Sequence, residues 1–263
     1  MKSSKSMTWG EATAGVSALA AVIALAACSQ QDRPVHRPLD SGQAEPETAT
    51  RPPAEASPSP SPLAALKLSH DGPTPLPSAR RDLPATLMHA LEARHSTRAF
   101  ADKQLPAQVL GDLLWAAAGV NRPDEGKRTA PSARNRQEID LYVSLADGLF
   151  LYQPRTHALS PVVPDDLRAL TGTQDYVADA PVNLVYVADL SRMEGRSDQE
   201  RLIVSAADTG FMAQNVYLYG AAEGLAVVVR GSVDHEALGA AMKLRPEQRI
   251  VLAQSVGYVA SGE

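Results

Sequence analysis

The stretch "ADTGFMAQNVYLYGAAEGLAVVVRG", residues 207–231, joins a long helical pattern to a short run of β-branched residues. Its first part, 207–225, has no fully polar face and carries small residues throughout, which predicts a helix buried on most sides. The remainder, "LAVVVRG", predicts a buried strand that ends on Arg-Gly. Such a helix is covered either by its own chain or by a second copy, and the sequence leaves both arrangements open.

Other helical and strand patterns surround this stretch without a regular βαβ repeat. Helices are predicted at 84–94, 106–118 and 233–244, and strands at 180–190 and 248–258. The stretch "EIDLYVSLADGLFLY", residues 138–152, alternates apolar and polar residues around Asp147-Gly148, which predicts a hairpin. Because hairpins pair antiparallel, the expected class is α+β with a central, mainly antiparallel sheet flanked by helices.

The composition limits the possible functions. The chain has 263 residues, of which 44% are hydrophobic and 21% charged, enough for one sizeable domain and an appendage. A net charge of -5 argues against nucleic-acid binding, which needs a basic face. The six histidines form no metal-binding pair, and hydrolase-elbow, dinucleotide and P-loop motifs are missing from the sequence.

Residues 1–28 are expected to be a lipoprotein signal peptide. Lys2 and Lys5 precede an apolar run from Ala12 to Ala27, and this run of 16 residues is too short for a spanning helix. The run ends in Leu-Ala-Ala-Cys, which resembles a bacterial lipobox and implies lipidation of Cys28, the single cysteine. A plain secretory signal is the alternative. In a Gram-negative host, Ser29 rather than Asp after the cysteine would imply a membrane anchor on the periplasmic side of the outer membrane.

Residues 29–82 are rich in proline and are expected to form a disordered tether. Eleven of the 20 prolines lie between Pro34 and Pro77, and no aromatic residue other than histidine occurs between Trp9 and Phe100. Such a segment buries too little apolar surface to offset the entropy of ordering. The folded domain is therefore predicted to be 83–263, and the segment before it to be dispensable for the domain's stability.

The stretch "RHSTR", residues 94–98, concentrates donors after the first predicted helix. In an extended chain Arg94, Ser96 and Arg98 would point to one side. Two guanidinium groups flanking a hydroxyl suit a phosphate and nearby carbonyl or ring-nitrogen acceptors. The alternative is a solvated helix end whose arginines complement the helix dipole.

Five motifs, taken in order, resemble the nitroreductase superfamily of FMN-dependent oxidoreductases, and in particular its compact branch related to thiazoline/oxazoline dehydrogenases. The motifs are "RHSTRAF" (94–100), "RTAPSARNRQE" (128–138), "AADTGFMAQNVYLYGAAEGL" (206–225), "GLAVVVRG" (224–231) and "SVGY" (255–258). The resemblance implies a homodimer with two FMN molecules at the subunit interface. It also implies ping-pong hydride transfer through flavin N5, with small-molecule electron donors and acceptors.

The resemblance also assigns cofactor-binding residues. Arg94 and Ser96 would serve the FMN phosphate, Arg98 the ribityl chain or pyrimidine O2, and His95 would contribute through its backbone. Further residues are expected at the flavin ring: the Asn135 amide, flanked by Ser132 and Gln137, and the backbone of Arg230 and Gly231 near N5 and O4.

Some positions stay outside this assignment. For Gln214 and Asn215, hydrogen bonds between helices across the dimer are as good an explanation as a role in the cofactor site. Several family members close over the phosphate with basic residues of a C-terminal tail. Lys243, Arg245 and Arg249 are candidates for this role here, and the alternative is that they are surface charges. The alternative function is a lipid-anchored binding or interaction protein that retains the fold without catalysis.

Overall fold

The strand predicted at 180–190 lies inside a seven-stranded antiparallel sheet. The structure is a computed structural model that describes residues 66–195 and 197–261. The strands of this part are β1 (Thr74–Pro75), β2 (Val120–Arg122), β3 (Lys127–Arg128), β4 (Ile139–Leu145), β5 (Gly148–Gln153), β6 (Ala158–Val163), β7 (Val182–Asp189), β8 (Leu225–Arg230) and β9 (Gln248–Tyr258). Its α-helices are α1 (Leu87–Ala93), α2 (Ala107–Ala118), α3 (Asp198–Ala222) and α4 (His235–Ala241). The sheet order is β1-β6-β5-β4-β7-β9-β8, and β2 and β3 form a separate hairpin. The predicted α+β class is confirmed.

Strand β7 is buried on both faces, and this explains its nearly continuous apolar sequence. Leu184 and Tyr186 lie in the core formed with α2 and α3. Val185 and Val187 alternate with them and lie in a second core, where Leu238 of α4 packs. Successive strand side chains point to opposite faces, so both faces of this strand must be covered by other elements.

Helix α3 begins nine residues before the predicted start, at Asp198 rather than residue 207. Ser197 and Glu200 form a capping box, in which the Glu200 amide donates to Ser197 Oγ and the Ser197 amide donates to the Glu200 carboxylate. In the single chain the helix is buried on one side only. Its other side, the open face of α3, exposes Ile203 by 62% and Phe211 by 48%, with Ala207 and Gly210 between them.

The first helix also differs from its prediction. It begins at Leu87 and not at Pro84, because Thr86 Oγ1 accepts a hydrogen bond from the His89 amide and caps the helix there. Its apolar side chains are exposed, Leu87 by 62% and Met88 by 71%. Helix α2 matches its prediction closely and ends before Gly119. The predicted hairpin is confirmed, but its turn is Ala146-Asp147, because Leu145 pairs with Gly148.

The predicted domain boundary at Leu83 is wrong. Residues 66–82, predicted to belong to the tether, pack on the domain: Thr74 pairs with Leu159 of β6, and the Leu76 amide donates to the His157 carbonyl at 2.9 Å. Leu76 is buried in the main core, and Leu66 packs against that core. The folded domain therefore includes residues from at least Leu66 onward.

The signal peptide, Cys28 and the tether before residue 66 lie outside the described residues. Within residues 66–195 and 197–261, helices long and apolar enough to span a membrane are absent.

Candidate functional site

The first motif is an extended segment that lies along the outer edge of β8. The Thr97 amide donates to the Val227 carbonyl at 3.0 Å, and Thr97 itself is buried. Ser96 and Arg98, on either side of it, are exposed. This alternation is what an extended chain on a sheet edge requires. Ser96 and Arg98 are exposed on either side of the buried Thr97, whereas Arg94 is half-buried, and the predicted one-sided array of three donors stays a prediction.

The side chains of this motif differ in how they are held. Arg94 lies over the ring of Tyr217, with 5.3 Å between its guanidinium carbon and the ring centre. Ser96 Oγ lies 2.7 Å from the Tyr217 hydroxyl. His95 Nδ1 lies 2.7 Å from the Ala93 carbonyl, within its own turn. Within the described part of the chain, the Arg98 guanidinium has no hydrogen-bond or ion-pair partner, so it is available to a ligand.

Arg230 turns its side chain into the protein and away from solvent. Its guanidinium group donates to Ser255 Oγ at 2.8 Å, to Thr171 Oγ1 at 2.6 Å and to Asn183 Oδ1 at 2.9 Å. Burial lowers the pKa of this arginine to about 10. These contacts occupy the guanidinium group, and the role of the Arg230 backbone toward a ligand stays a prediction. Gly231 follows as an exposed residue, and a Cβ placed there would contact only Leu252, at 3.8 Å.

The second group of predicted residues forms a compact loop before β4. The Gln137 amide donates to Ser132 Oγ at 3.0 Å, and Gln137 Nε2 donates to Asn135 Oδ1 at 3.0 Å. Arg134, Asn135 and Gln137 all have positive φ, at 57°, 54° and 52°. Left-handed backbone costs free energy in residues other than glycine, so this loop is held by its surroundings. Asn135 is exposed at its tip.

The two groups are anchored at different positions of α3. The first motif contacts Tyr217 of α3, while the loop is anchored at Asp208, whose Oδ2 accepts from the Ala133 amide at 2.8 Å. These two positions are nine residues apart on α3, or roughly 13 Å along the helix axis. The candidate residues therefore form two separately anchored groups, which we name the Arg98 half-site and the Asn135 half-site.

Three residues that the sequence offered as substitutes for a basic tail lie elsewhere. Arg245 donates to Asp189 Oδ2 at 2.6 Å, and Arg249 pairs with Ala188 near the start of β9. The first motif meets the other end of this strand, where Phe100 bridges to Val259. Strand β9 has 11 residues, which separates its ends by roughly 33 Å. Within one chain, Arg245, Arg249 and the nearby Lys243 are thus too far from the first motif to contact the same phosphate.

Asn215 has a hydrogen bond within the chain. Its Nδ2 donates to the Ala116 carbonyl at 3.0 Å and joins α3 to α2. Gln214 is exposed next to the open face of α3. Clusters of three or more potential metal ligands are absent from the described residues.

A buried pair of carboxyl groups beneath the loop was missed by sequence reasoning. Glu138 has no exposed surface, and Asp208, which holds the Ala133 amide, is 5% exposed. Burial foremost, and the neighbouring Asp208 carboxylate, raise the pKa of Glu138 to about 7. Glu138 begins a strand pattern and Asp208 lies within a helix pattern, so local periodicity gave no signal that the two would meet.

Glu138→Gln is expected to remove a pH dependence of stability. Because the pKa of Glu138 is raised on folding, the folded protein binds more protons than the unfolded chain between about pH 4.5 and 7. The wild-type free energy of unfolding should therefore fall as pH rises through that window and level off above it. At pH 8 the variant should be more stable than wild type by about 2–3 kcal/mol, with little difference at pH 4.5.

Urea unfolding at a series of pH values measures this difference. The exposed Glu236→Gln, in α4, is the matched control and should run parallel to wild type. A parallel curve for Glu138→Gln would show that Glu138 titrates normally in the folded protein.

Comparison with known proteins agrees with the observed fold. The nitroreductase family matches residues 91–258. The crystal structure of a nitroreductase homologue from Ralstonia eutropha JMP134 is 43% identical with a TM-score of 0.70, covering 76% of this chain and 95% of that one. A nitroreductase homologue of Methanocaldococcus jannaschii is 28% identical over 156 residues, 56% of this chain and 78% of that protein. The NADPH:FMN oxidoreductase of Vibrio harveyi, solved with NAD+, shares the fold at 19% identity and a TM-score of 0.50, covering 66% of this chain and 69% of that one. Because the family match spans residues 91–258, more than half of the chain, this chain belongs to the nitroreductase family.

Proposed function

We propose that the protein is an FMN-dependent oxidoreductase. The observation that carries the proposal is the outward-facing pair Ser96 and Arg98 on the edge of β8, the strand that ends in the open backbone of Gly231. Hydroxyl and guanidinium donors suit a phosphate and the polar edge of a flavin. A glycine at the strand end lets a flat ring approach the backbone. Family membership supports the same chemistry.

The residues present fit this cofactor. Arg94 and Ser96 would hold its phosphate, Arg98 its ribityl chain or pyrimidine edge, and the Gly231 backbone its central ring. Bound FMN would supply hydride acceptance and donation at N5, so the protein needs no side-chain acid or base for that transfer. The task of this chain is to orient the ring, place a cation beside it and control access.

The active unit in this proposal is a homodimer. One chain holds the Arg98 half-site and the Asn135 half-site apart, along a helix whose open face exposes Ile203 and Phe211. Exposed apolar side chains on a central helix are typical of a surface that a second copy covers. In a twofold dimer, each Arg98 half-site would be completed by the loop of the other chain.

The electron donor and acceptor are proposed to be small molecules outside the cytoplasm. This rests on the predicted lipid anchor at Cys28 and the export that it implies. Reduced nicotinamides are expected to be scarce there, so passage of electrons from a small substrate to oxygen or a quinone fits the compartment better than nitroreduction driven by NAD(P)H.

The absorbance spectrum of the purified protein tests the function directly. The oxidoreductase should be yellow and show flavin absorbance, or should acquire it on addition of FMN. A colourless protein that gains nothing from FMN would instead support the alternative of a binding protein that retains the fold without catalysis.

Variants of the two arginines separate their roles. Arg98→Ala removes a cation with charge-assisted hydrogen bonds, so the FMN dissociation constant should rise roughly ten- to a hundredfold. The flavin midpoint potential should also fall, because negative charge on the reduced ring loses its stabilising neighbour. Arg94→Ala should weaken FMN binding with little change of potential, because its charge would lie at the phosphate.

Titration with FMN and a redox titration of each variant measure these effects. Arg249→Ala, at the opposite end of β9, is the control for loss of an arginine charge and should behave as wild type. If Arg94→Ala and Arg98→Ala both kept the wild-type FMN affinity and flavin midpoint potential, the alternative would hold, in which the motif is a solvated chain segment.

A further inference from the structure

Tyr217 connects the two segments of the first half-site. Its hydroxyl lies 2.7 Å from Ser96 Oγ and accepts a hydrogen bond from the Val229 amide at 2.9 Å. Val229 is two residues before Gly231 at the end of β8, and Tyr217 is 6% exposed. One buried hydroxyl on α3 is thus in contact with both the first motif and the strand that leads to Gly231.

The Tyr217 hydroxyl accepts a hydrogen bond from an outward amide of β8 that a neighbouring strand would otherwise accept. β8 is an edge strand, hydrogen-bonded on one side to β9 alone. On its outer side the Thr97 amide donates to the Val227 carbonyl, and the next outward amide, that of Val229, is met by Tyr217. An unpaired amide at this position would have to be solvated or would cost free energy. Tyr217 therefore fixes the geometry of the strand end as well as that of Ser96.

Burial also determines the direction of the bond between Tyr217 and Ser96. The Tyr217 oxygen already accepts from Val229, and in the described residues Ser96 Oγ is the one acceptor within reach of its proton. If Ser96 donated instead, a buried phenolic proton would have no partner, which costs about 1–3 kcal/mol. Ser96 is exposed and can direct its own proton to solvent or a ligand. The favoured arrangement is Val229 N–H to Tyr217 O, and Tyr217 O–H to Ser96 Oγ.

We propose that Tyr217 is a positioning residue that makes Ser96 a dedicated hydrogen-bond donor to a phosphate monoester. Because Ser96 Oγ accepts from Tyr217, its own proton points outward, beside the Arg94 guanidinium that lies over the Tyr217 ring. A phosphate has acceptors alone in its dianionic form, so a hydroxyl fixed as a donor matches it. The inference rests on the proposed FMN function and concerns the phosphate end of that cofactor.

Tyr217→Phe tests the proposal, because it keeps the ring beneath Arg94 and removes the hydroxyl. The variant should weaken FMN binding about tenfold, the effect of losing one oriented hydrogen bond to a charged group. Ser96→Ala should have a similar effect, and the double variant should bind FMN no more weakly than Ser96→Ala alone. Riboflavin, which lacks the phosphate, should bind all four proteins equally.

The matched control is Tyr219→Phe. Tyr219 is also buried on α3, but its hydroxyl donates to the Val109 carbonyl at 3.3 Å, away from the motif. This variant should keep wild-type affinity for FMN.

Three outcomes would overturn the role of Tyr217 while leaving the FMN function intact: wild-type FMN affinity in Tyr217→Phe, losses that multiply in the double variant, or equal weakening of riboflavin. Equal weakening of riboflavin would indicate a purely structural contribution through β8. Wild-type protein that binds neither FMN nor riboflavin would overturn the FMN function, and the role of Tyr217 with it.

Discussion

Ile203→Asp combined with Phe211→Asp is expected to convert the protein into a monomer and to weaken FMN binding by more than about a hundredfold. Both side chains lie on the open face of α3, exposed by 62% and 48%. Burying such a side chain contributes roughly 1.5–3 kcal/mol, and in a twofold interface each substitution counts twice. The carboxylates would also have to lose water in any remaining interface.

The loss of FMN follows from the division of the site. A monomer keeps Ser96 and Arg98 on one half-site but has no second chain to bring Asn135 to the same cofactor. Binding should therefore fall together with dimerisation, although the fold of each chain is unchanged. Sedimentation equilibrium, FMN titration and circular dichroism of the double variant measure these three properties.

Leu170→Asp is the matched control, because Leu170 is a comparably exposed leucine, at 43%, and lies far from α3 in the sequence. It should remain dimeric and bind FMN normally. A double variant of α3 that is monomeric yet binds FMN as tightly as wild type would show that one chain completes the site. A double variant that remains dimeric would place the interface on another surface.

Sequence periodicity predicted the elements whose apolar spacing and end signals lie within the element itself. Helix α2 and strands β7 and β9 were located within a few residues, because their apolar spacing is regular and their ends carry ordinary stop signals. The early start of α3 was missed even though Ser197-x-x-Glu200 is a capping box. The Ser-x-x-Glu pattern is itself a helix-start signal, but the apolar pattern further along the helix is stronger.

Long-range contacts explain what the sequence could not predict. The buried Arg230 guanidinium finds partners in Thr171 and Asn183, 59 and 47 residues away, and no local pattern predicts such a network. The same holds for Glu138 and Asp208. The backbone of the Ser132 loop is a third case, because Asn135 and Gln137 adopt left-handed conformations without glycine. The exposure of Ser96 and Arg98 on either side of the buried Thr97 agrees with the alternation that an extended chain would give, which was the condition of that prediction.

Proline content misled the prediction of the boundary for a physical reason. A proline lacks the amide that a strand inside a sheet must donate, so proline-rich sequence is usually read as unstructured. At a sheet edge the missing amide is harmless. Pro75 lies in β1 at such an edge and is itself exposed, while Thr74 and Leu76 on either side of it are buried.

A chain that begins at Leu83 is therefore expected to be largely unfolded at room temperature, whereas one that begins at Leu66 should be as stable as the full chain. The shorter chain loses the buried Leu76, worth roughly 1.5–3 kcal/mol, and the partly buried Leu66 and Leu68. It also loses Arg80, whose amide and Nε donate to Asp112 at 2.8 and 2.6 Å. Together these losses approach the whole stability of a typical domain, about 5–15 kcal/mol.

Asp112 makes this prediction specific. Its side chain is 1% exposed, and it pairs with an Arg80 side chain that is 39% exposed. Removing Arg80 leaves a buried carboxylate without its counter-ion, which is costly, although the solvent near Arg80 reduces that cost. Asp112→Asn should therefore destabilise the chain that begins at Leu66 and stabilise the chain that begins at Leu83.

The two chain lengths, each with and without Asp112→Asn, give four proteins. Thermal and urea unfolding of these proteins measure the expected opposite effects of the substitution on stability. Asp140→Asn is the control. Asp140 pairs with Arg192, and both residues are present in the longer and in the shorter chain. Its effect on stability should be the same whichever residue begins the chain. If the chain beginning at Leu83 were as stable as the longer one, the contacts of residues 66–82 would contribute nothing to stability, and the predicted tether would extend to residue 82 after all.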